Sequence, residues 1–227
     1  MIVSIHQPQY LPWLGYFDKI AGCDIFIFLD NVQFKKNEWQ NRNKIKTDQK
    51  WQWLSVPVIH SFGQKINEVE INDTVHWGNK HLQALVTNYS KAPFFKEHLA
   101  FFVKTYAQEW KRLLDINLHL IRYLVKALDI SNKKFRLASE YQSREGPTER
   151  LVDLCKLAGA EVYLSGQDGA KYLDLDEFKK EGIQVIFQSY KHPLYPQLFG
   201  EFEPYLSVVD LLFNCGPESL SILRKGG

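Results

Sequence analysis

The chain has 227 residues, 45% apolar and 24% charged, a profile that supports a real core without disulfides or a structural metal. Its formal net charge of +2 does not argue for a large nucleic-acid footprint: DNA is not an expected partner, and a tRNA is mildly disfavoured. The first residues carry no basic, cleavable leader and no apolar run reaches bilayer length, so neither a signal peptide nor a transmembrane segment is expected. Three cysteines, Cys23, Cys155 and Cys215, sit in apolar segments at no metal-ligand spacing. That pattern predicts reduced thiols in a cytoplasmic protein and no metal site. Aromatic residues make up 14% of the chain, enough to serve both a core and a stacking surface for a sugar or a base.

Residues 2–5 are a short apolar run that ends on His6-Gln7, and Pro8 and Pro12 stiffen the connection after it. Trp13, Leu14, Tyr16, Phe17 and Ile20 then recur at helical spacing. Residues 25–29 are a second apolar run, closed by Asp30-Asn31, so the opening segment reads as a right-handed β-α-β unit. Residues 51–58 alternate and predict a strand near an edge, because of Pro57, with residues 68–71 as its partner. A helical block over about 78–129 divides at Lys91-Ala92-Pro93 and near Gln108, and its last segment is amphipathic. The α/β alternation then resumes. A strand at 134–138 leads through a polar loop to a helix at 148–158, with Thr148 as N-cap and Gly159 as stop. Strands come next at 162–164 and 183–187, with a short helix ended by Gly182 between them, and helices near 206–213 and 217–223 close the chain. The whole predicts a single α/β domain over 1–227: three-layer, Rossmann-like, with a mostly parallel sheet and a helical insertion at about 78–129.

In such a fold, ligands bind at the carboxyl ends of the strands. His6 falls at one and is the first candidate acid or base; Gln7 is adjacent, and the strand period points it to the opposite side. Tyr10, Trp13 and Tyr16 form an aromatic cluster for stacking or for packing, and Gly15 leaves room for close approach. At the end of the second strand starts the densest polar set: Asp30, Asn31, Gln33, Lys35, Lys36, Asn41, Arg42, Asn43 and Lys44. Its cations and amides suit a phosphate, with Arg42 as the bidentate member. Asp30 is the leading carboxylate, as a base, a holder of Mg²⁺ through water, or a cap. Ser165 and Gly166 end the 162–164 strand with small residues and backbone N–H groups that suit an oxyanion. The loop around Arg144 is a further anion candidate, and the 190–197 segment reads as a rigid crossing. Asp210 and Asn214 share a helix face, with structural hydrogen bonding as the default reading. His76, His81, His98 and His119 show no ligand spacing.

The segments HQPQYLPWLGYFDKI, FLDNVQF, WQNRNKI, YLSG and LSVVDLLFN, in this order from residue 2 to about 216, resemble the WbqC-like family. The resemblance implies a place in O-antigen, lipopolysaccharide or other surface-polysaccharide biosynthesis. It also implies a transferase that attaches a glycyl or other acyl group to an amino sugar or sugar nucleotide. On that reading Arg42 and Lys44 hold phosphate, His6 or Asp30 takes the proton of the attacking amine, and N–H groups near Ser165-Gly166 stabilise the oxyanion. Gln7, Tyr10, Asn31, Gln33, Lys35, Asn41 and Asn43 complete the substrate contacts. The donor would be an adenylate made from ATP with Mg²⁺, an acyl thioester or an aminoacyl-tRNA. The first loop is also faintly similar to that of nucleotidylyltransferases, but Trp13 and Tyr16 replace their His-x-x-His pair. Two alternatives therefore stand: an ATP- or NTP-dependent nucleotidylyltransferase-like enzyme, and a non-catalytic sugar-nucleotide-binding or assembly protein. A homodimer is left open by the sequence.

Overall fold

The structure, a computed structural model, describes residues 1–227. β1 (Ile2–His6), α1 (Leu14–Ala21) and β2 (Ile25–Phe28) form the expected unit, β1 and β2 running parallel. The next excursion holds an antiparallel hairpin, β3 (Arg42–Thr47) with β4 (Lys50–Ser55), and a short ladder, β5 (Val58–Ile59) with β6 (Glu70–Ile71). It continues through the expected three helices: α2 (Trp77–Tyr89), α3 (Phe95–Ala107) and α4 (Leu113–Ala127). The chain then re-enters the sheet as β7 (Lys134–Leu137), α5 (Pro147–Ala158), β8 (Val162–Ser165), α6 (Leu175–Lys180) and β9 (Gln184–Phe187), and ends in α7 (Val208–Cys215) and α8 (Ser219–Arg224).

The five sheet strands are all parallel, in the order β7-β2-β1-β8-β9. The chain steps outward from β1 to β2 to β7, then returns to the other side of β1 for β8 and β9. The direction of winding therefore reverses between β1 and β8. The loops leaving these two neighbours diverge, and a crevice opens between them.

Both faces of the sheet are covered, which is why its inner strands are almost continuously apolar. Side chains alternate between the faces with the strand period of two. Val3, Ile5, Ile25 and Ile27 pack with Leu151, Val152 and Leu154 of α5 and Phe178 of α6. Phe26 and Phe28 point the other way, into a larger core that takes in Phe17 and Ile20 of α1 and runs on into α2, α3, α4 and α7. Phe26 is fully buried against the rings of Tyr16, Phe28 and Phe135; its truncation to alanine would cost about 3–5 kcal/mol. All three cysteines are free and buried, and no helix is long and apolar enough to cross a membrane.

Local structure differs from the sequence expectations in three places. The run from Arg42 to Lys44, read from sequence only as part of a polar set, is strand. Its inward position 43 is an asparagine instead of an apolar residue, which hides the alternation. Asn43 is nevertheless fully buried, because its amide donates to Leu11 O (2.7 Å) and accepts from Lys44 N–H (2.8 Å). β4 pairs along its length with β3, and β6 meets only Val58 and Ile59, beyond Pro57. Helix α5 starts at Pro147 with Gly146 as N-cap. Proline's fixed φ and missing N–H suit that first position, and the Thr148 hydroxyl instead accepts from Asp174 N–H at 3.1 Å.

Candidate functional site

A cavity of about 480 Å³ lies over the carboxyl ends of β1, β8 and β9, at the point where the winding reverses. His6, Gln7, Gln9, Lys19, Ser165, Gln167, Asp168 and Gln188 supply its polar wall, and Gly166 and Gly169 bring backbone to its edge. Trp13, Trp39, Tyr172, Tyr190 and Tyr205 supply an aromatic rim. A smaller recess of about 200 Å³ shares Gln7, Gln9 and Trp39 with it and adds Lys35, Glu38 and Gln40.

His6 ends β1, where the chain turns away from the sheet. Its Nδ1 lies 3.1 Å from Gln7 O; a carbonyl only accepts, so Nδ1 carries the hydrogen and Nε2 keeps its lone pair. The ring stands edge-on to Tyr16, centroids 5.0 Å apart. Burial, then the nearby Lys19 ammonium, push the His6 pKa down to about 3, so the imidazole is neutral at ordinary pH.

Lys19 comes from the second turn of α1, on the face that also carries Gly15 and Tyr16. It is only 3% exposed. Its Nζ donates to Ile5 O at 3.3 Å and has no carboxylate partner. Burial lowers its pKa to about 8, which leaves it mostly charged at neutral pH. Gln188, after β9, donates to Gly15 O (2.9 Å) and to Asp18 Oδ2 (2.5 Å), which ties β9 to α1 at the cavity wall. Two side-chain oxygens of lining residues, Gln9 Oε1 and Tyr190 Oη, are buried without a hydrogen-bond partner.

Two of the three glycines lining the cavity are fixed by neighbouring side chains. A Cβ at Gly169 would overlap Ser165 Oγ, so only glycine lets the short helical turn over 167–171 close on β8. A Cβ at Gly15 would overlap the indole of Trp13, so the close approach expected there is made by a neighbouring side chain of the same chain.

Of the sequence candidates, the structure brings His6, Gln7, Ser165 and Gly166 to the main cavity and Lys35 to the adjoining recess. Gln7 lines the cavity with His6 and also the adjoining recess, where its amide oxygen accepts from Gln40 Nε2 (2.7 Å). Ser165 is buried, and its hydroxyl donates to Gly166 O (3.2 Å). Asp30 does not line the cavity. It is fully buried, accepts from Ser139 N–H (2.9 Å), Ser139 Oγ (2.6 Å) and Asn67 Nδ2 (3.3 Å), and joins the ends of β2 and β7 to the excursion. Tyr10 is also internal: its hydroxyl meets His81 Nδ1 (2.7 Å) and Tyr106 Oη (2.6 Å), fastening the first loop to α2 and α3. Asn41 bonds Asn37 N–H and Val56 O, and Asn43 is spent on Leu11 O. Gln33 forms an isolated bridge with Lys65, and Asn31 lies outside the cavity with a buried, unpaired Oδ1.

Arg42 and Lys44 lie on the outer face of β3, stacked on tryptophans. The Arg42 guanidinium sits 4.1 Å from the Trp53 ring, and Lys44 Nζ 4.2 Å from Trp51. Trp53 in turn lies 5.7 Å from Trp39, a rim residue of the cavity. The row Trp39–Trp53–Trp51 therefore leads outward from the cavity with two cations set along it, neither paired to an acid. Arg144, by contrast, is engaged by Asp153 through both Nε and Nη2. Asp210 accepts from Tyr89 Oη and Gln197 Nε2, both at 2.8 Å, and Tyr89 accepts from Lys46 N–H in β3. That is the structural role expected for it.

Sequence reasoning missed Lys19, Gln9, Gln188 and Trp39. Lys19 had a signal: a lysine at the i+3 and i+4 positions from Tyr16 and Gly15, on the same helix face as the apolar residues. Gln188 had none, because its placement depends on β9 lying beside β8.

The chain matches the WbqC-like protein family over residues 7–222. An uncharacterized protein of Mycobacterium tuberculosis is 42% identical over 228 residues, spanning 98% of this chain and 97% of that protein. No solved structure matches.

Proposed function

The chain belongs to the WbqC-like protein family, and from that premise we propose that it is a transferase of surface-polysaccharide biosynthesis. It attaches a glycyl or other acyl group to the amine of an amino sugar, free or carried on a nucleotide. The observation that supports this best is His6: a neutral imidazole with a free Nε2, at the strand-end crevice, inside an aromatic rim. The rim suits the apolar face of a sugar ring or a base. Nε2 accepts the amine proton as the amine attacks the acyl carbon; the new C–N bond forms while the bond to the leaving group breaks. Backbone N–H groups near Ser165 and Gly166 face the developing oxyanion. An anion seated beside Lys19 cancels one of the two causes that depress the His6 pKa and so strengthens it as a base. Arg42 and Lys44, fixed on their tryptophans, hold a phosphate further along the row.

The test is incubation of the protein with amino-sugar nucleotides and glycyl or other acyl donors (adenylate, thioester or aminoacyl-tRNA), reading the mass gain of the acceptor. Transfer by the wild type that collapses in His6→Gln supports the reading. Equal sugar-nucleotide binding by both proteins, with no transfer from any donor, would instead make the protein a binder.

A further inference from the structure

We infer that Lys19 seats a phosphoryl group of the substrate, on the cavity wall between the ends of β1 and β8. The inference deepens the proposed function by naming a phosphorylated acceptor. It rests on reading this cavity as the substrate site, not on acyl transfer itself.

A buried ammonium needs hydrogen-bond acceptors and, as a rule, an opposite charge. Lys19 has three N–H donors and one long bond, to Ile5 O at 3.3 Å. Of the nearby acids, Asp18, next in sequence, accepts from Gln188. Asp168 also lines the cavity, but it is exposed and its carboxylate is paired with Lys171. The ammonium is therefore left without an ion-pair partner within the protein. It also faces a gap: Nζ lies 3.9 Å from where a Cβ of Gly166 would stand, and Gly166 has none.

The usual place for an anion in such a fold is the first turn of the helix after β1. Here the Trp13 indole lies over Gly15 and covers that turn. Lys19, one turn further on, supplies the positive charge from the side instead. No arginine lines the cavity. The lone ammonium acts as a point charge, which a phosphoryl oxygen can meet without bidentate geometry. Trp13, Trp39 and Tyr205 on the rim of the same cavity offer ring faces to the sugar or base that the phosphate carries.

Titration calorimetry on the full chain, with inorganic pyrophosphate, UDP and glycine as probes, tests this without any turnover. Pyrophosphate and UDP should bind and glycine should not. Lys19→Met should weaken both at least tenfold while its ligand-free melting temperature stays equal or rises, since the variant removes an unpaired buried charge. A purely structural lysine would do the reverse. Should Lys19→Met not fold, protection of Lys19 from acetic anhydride by pyrophosphate in the wild type, read by peptide mass, gives the same answer. Pyrophosphate binding unchanged in Lys19→Met, binding of glycine alone, binding of no probe, or no protection of Lys19 would each overturn the inference. Lys19-dependent pyrophosphate binding with no transfer from any donor would sink the transferase and leave this inference standing. Transfer to phosphate-free amino sugars with no pyrophosphate binding would do the opposite.

Discussion

Two strand-end mouths lie side by side on this sheet, and they have opposite characters. Over β2 and β7, Asp30 is fully buried and spends both carboxylate oxygens on Ser139 and Asn67. Over β1 and β8, His6 keeps a free Nε2, Lys19 lacks a counter-charge, and Gln9 and Tyr190 each hold a buried oxygen without a partner. Both mouths are polar, and both sit where an α/β sheet can bind a ligand. Unpartnered buried oxygens occur at both, Asn31 Oδ1 and Asn67 Oδ1 at the first and Gln9 Oε1 and Tyr190 Oη at the second. What separates them is the ionisable group: Asp30 is fully engaged as a strut, whereas Lys19 and His6 Nε2 keep hydrogen-bonding capacity at a cavity wall.

The largest effects should fall on opposite properties at the two mouths. His6→Gln should lower kcat for acyl transfer by about 10²- to 10⁴-fold, with urea-unfolding stability kept within about 1 kcal/mol because no strong bond is lost. Asp30→Ala should cost roughly 3 kcal/mol of stability, since it strands the Ser139 and Asn67 donors. The folded fraction should still transfer at close to the wild-type rate. A denaturant titration beside a rate measurement decides both. If Asp30→Ala stayed stable and lost turnover, the contrast between the mouths would be wrong.

A smaller effect concerns pH. Lys19 has a folded pKa of about 8 against 10.5 for the ordinary side chain. Below pH 8 both folded and unfolded states hold the proton, and burial of the charge costs stability in full. Between pH 8 and 10.5 the unfolded state binds more protons than the native one, so stability rises with pH. The rise from this group should reach at most about 3 kcal/mol, and Lys19→Met should lack it when the two proteins are unfolded in urea across that window. Phosphoryl binding should fall over the same window, as the native lysine loses its charge.

The framework was readable because its signals are local. Apolar runs of strand length, the 3.6-residue period of α4 and the Gly159 stop do not depend on distant residues. His6 and Gly166 could be placed for the same reason: each ends a run. Lys19 and Gln188 could not, because they enter the cavity only once α1 lies over β1 and β9 lies beside β8. Asp30 misled for a physical reason. A carboxylate at a strand end looks the same in sequence whether or not distant donors, here Ser139 and Asn67, have claimed it. The hairpin was hidden by Asn43, a buried polar residue whose partner, Leu11 O, is 32 residues away.

The smallest expected effect lies on the tryptophan row, and it sharpens the contrast outside the cavity. Arg42 and Lys44 are partly exposed and held on ring faces, so each such contact contributes about 0.5–1 kcal/mol. Arg42→Ala should therefore lower stability by about 1 kcal/mol or less. If the row carries part of a phosphorylated substrate, the same change should raise KM several-fold with kcat kept, because the contact lies away from the reacting atoms and serves ground state and transition state alike. Salt should weaken that contribution more than it weakens binding at the buried Lys19, since exposed charges are screened and buried ones much less so. Steady-state kinetics of Arg42→Ala at low and high salt would show it. A KM that does not move at either salt would confine the site to the cavity and leave Arg42 and Lys44 as packing for the tryptophans.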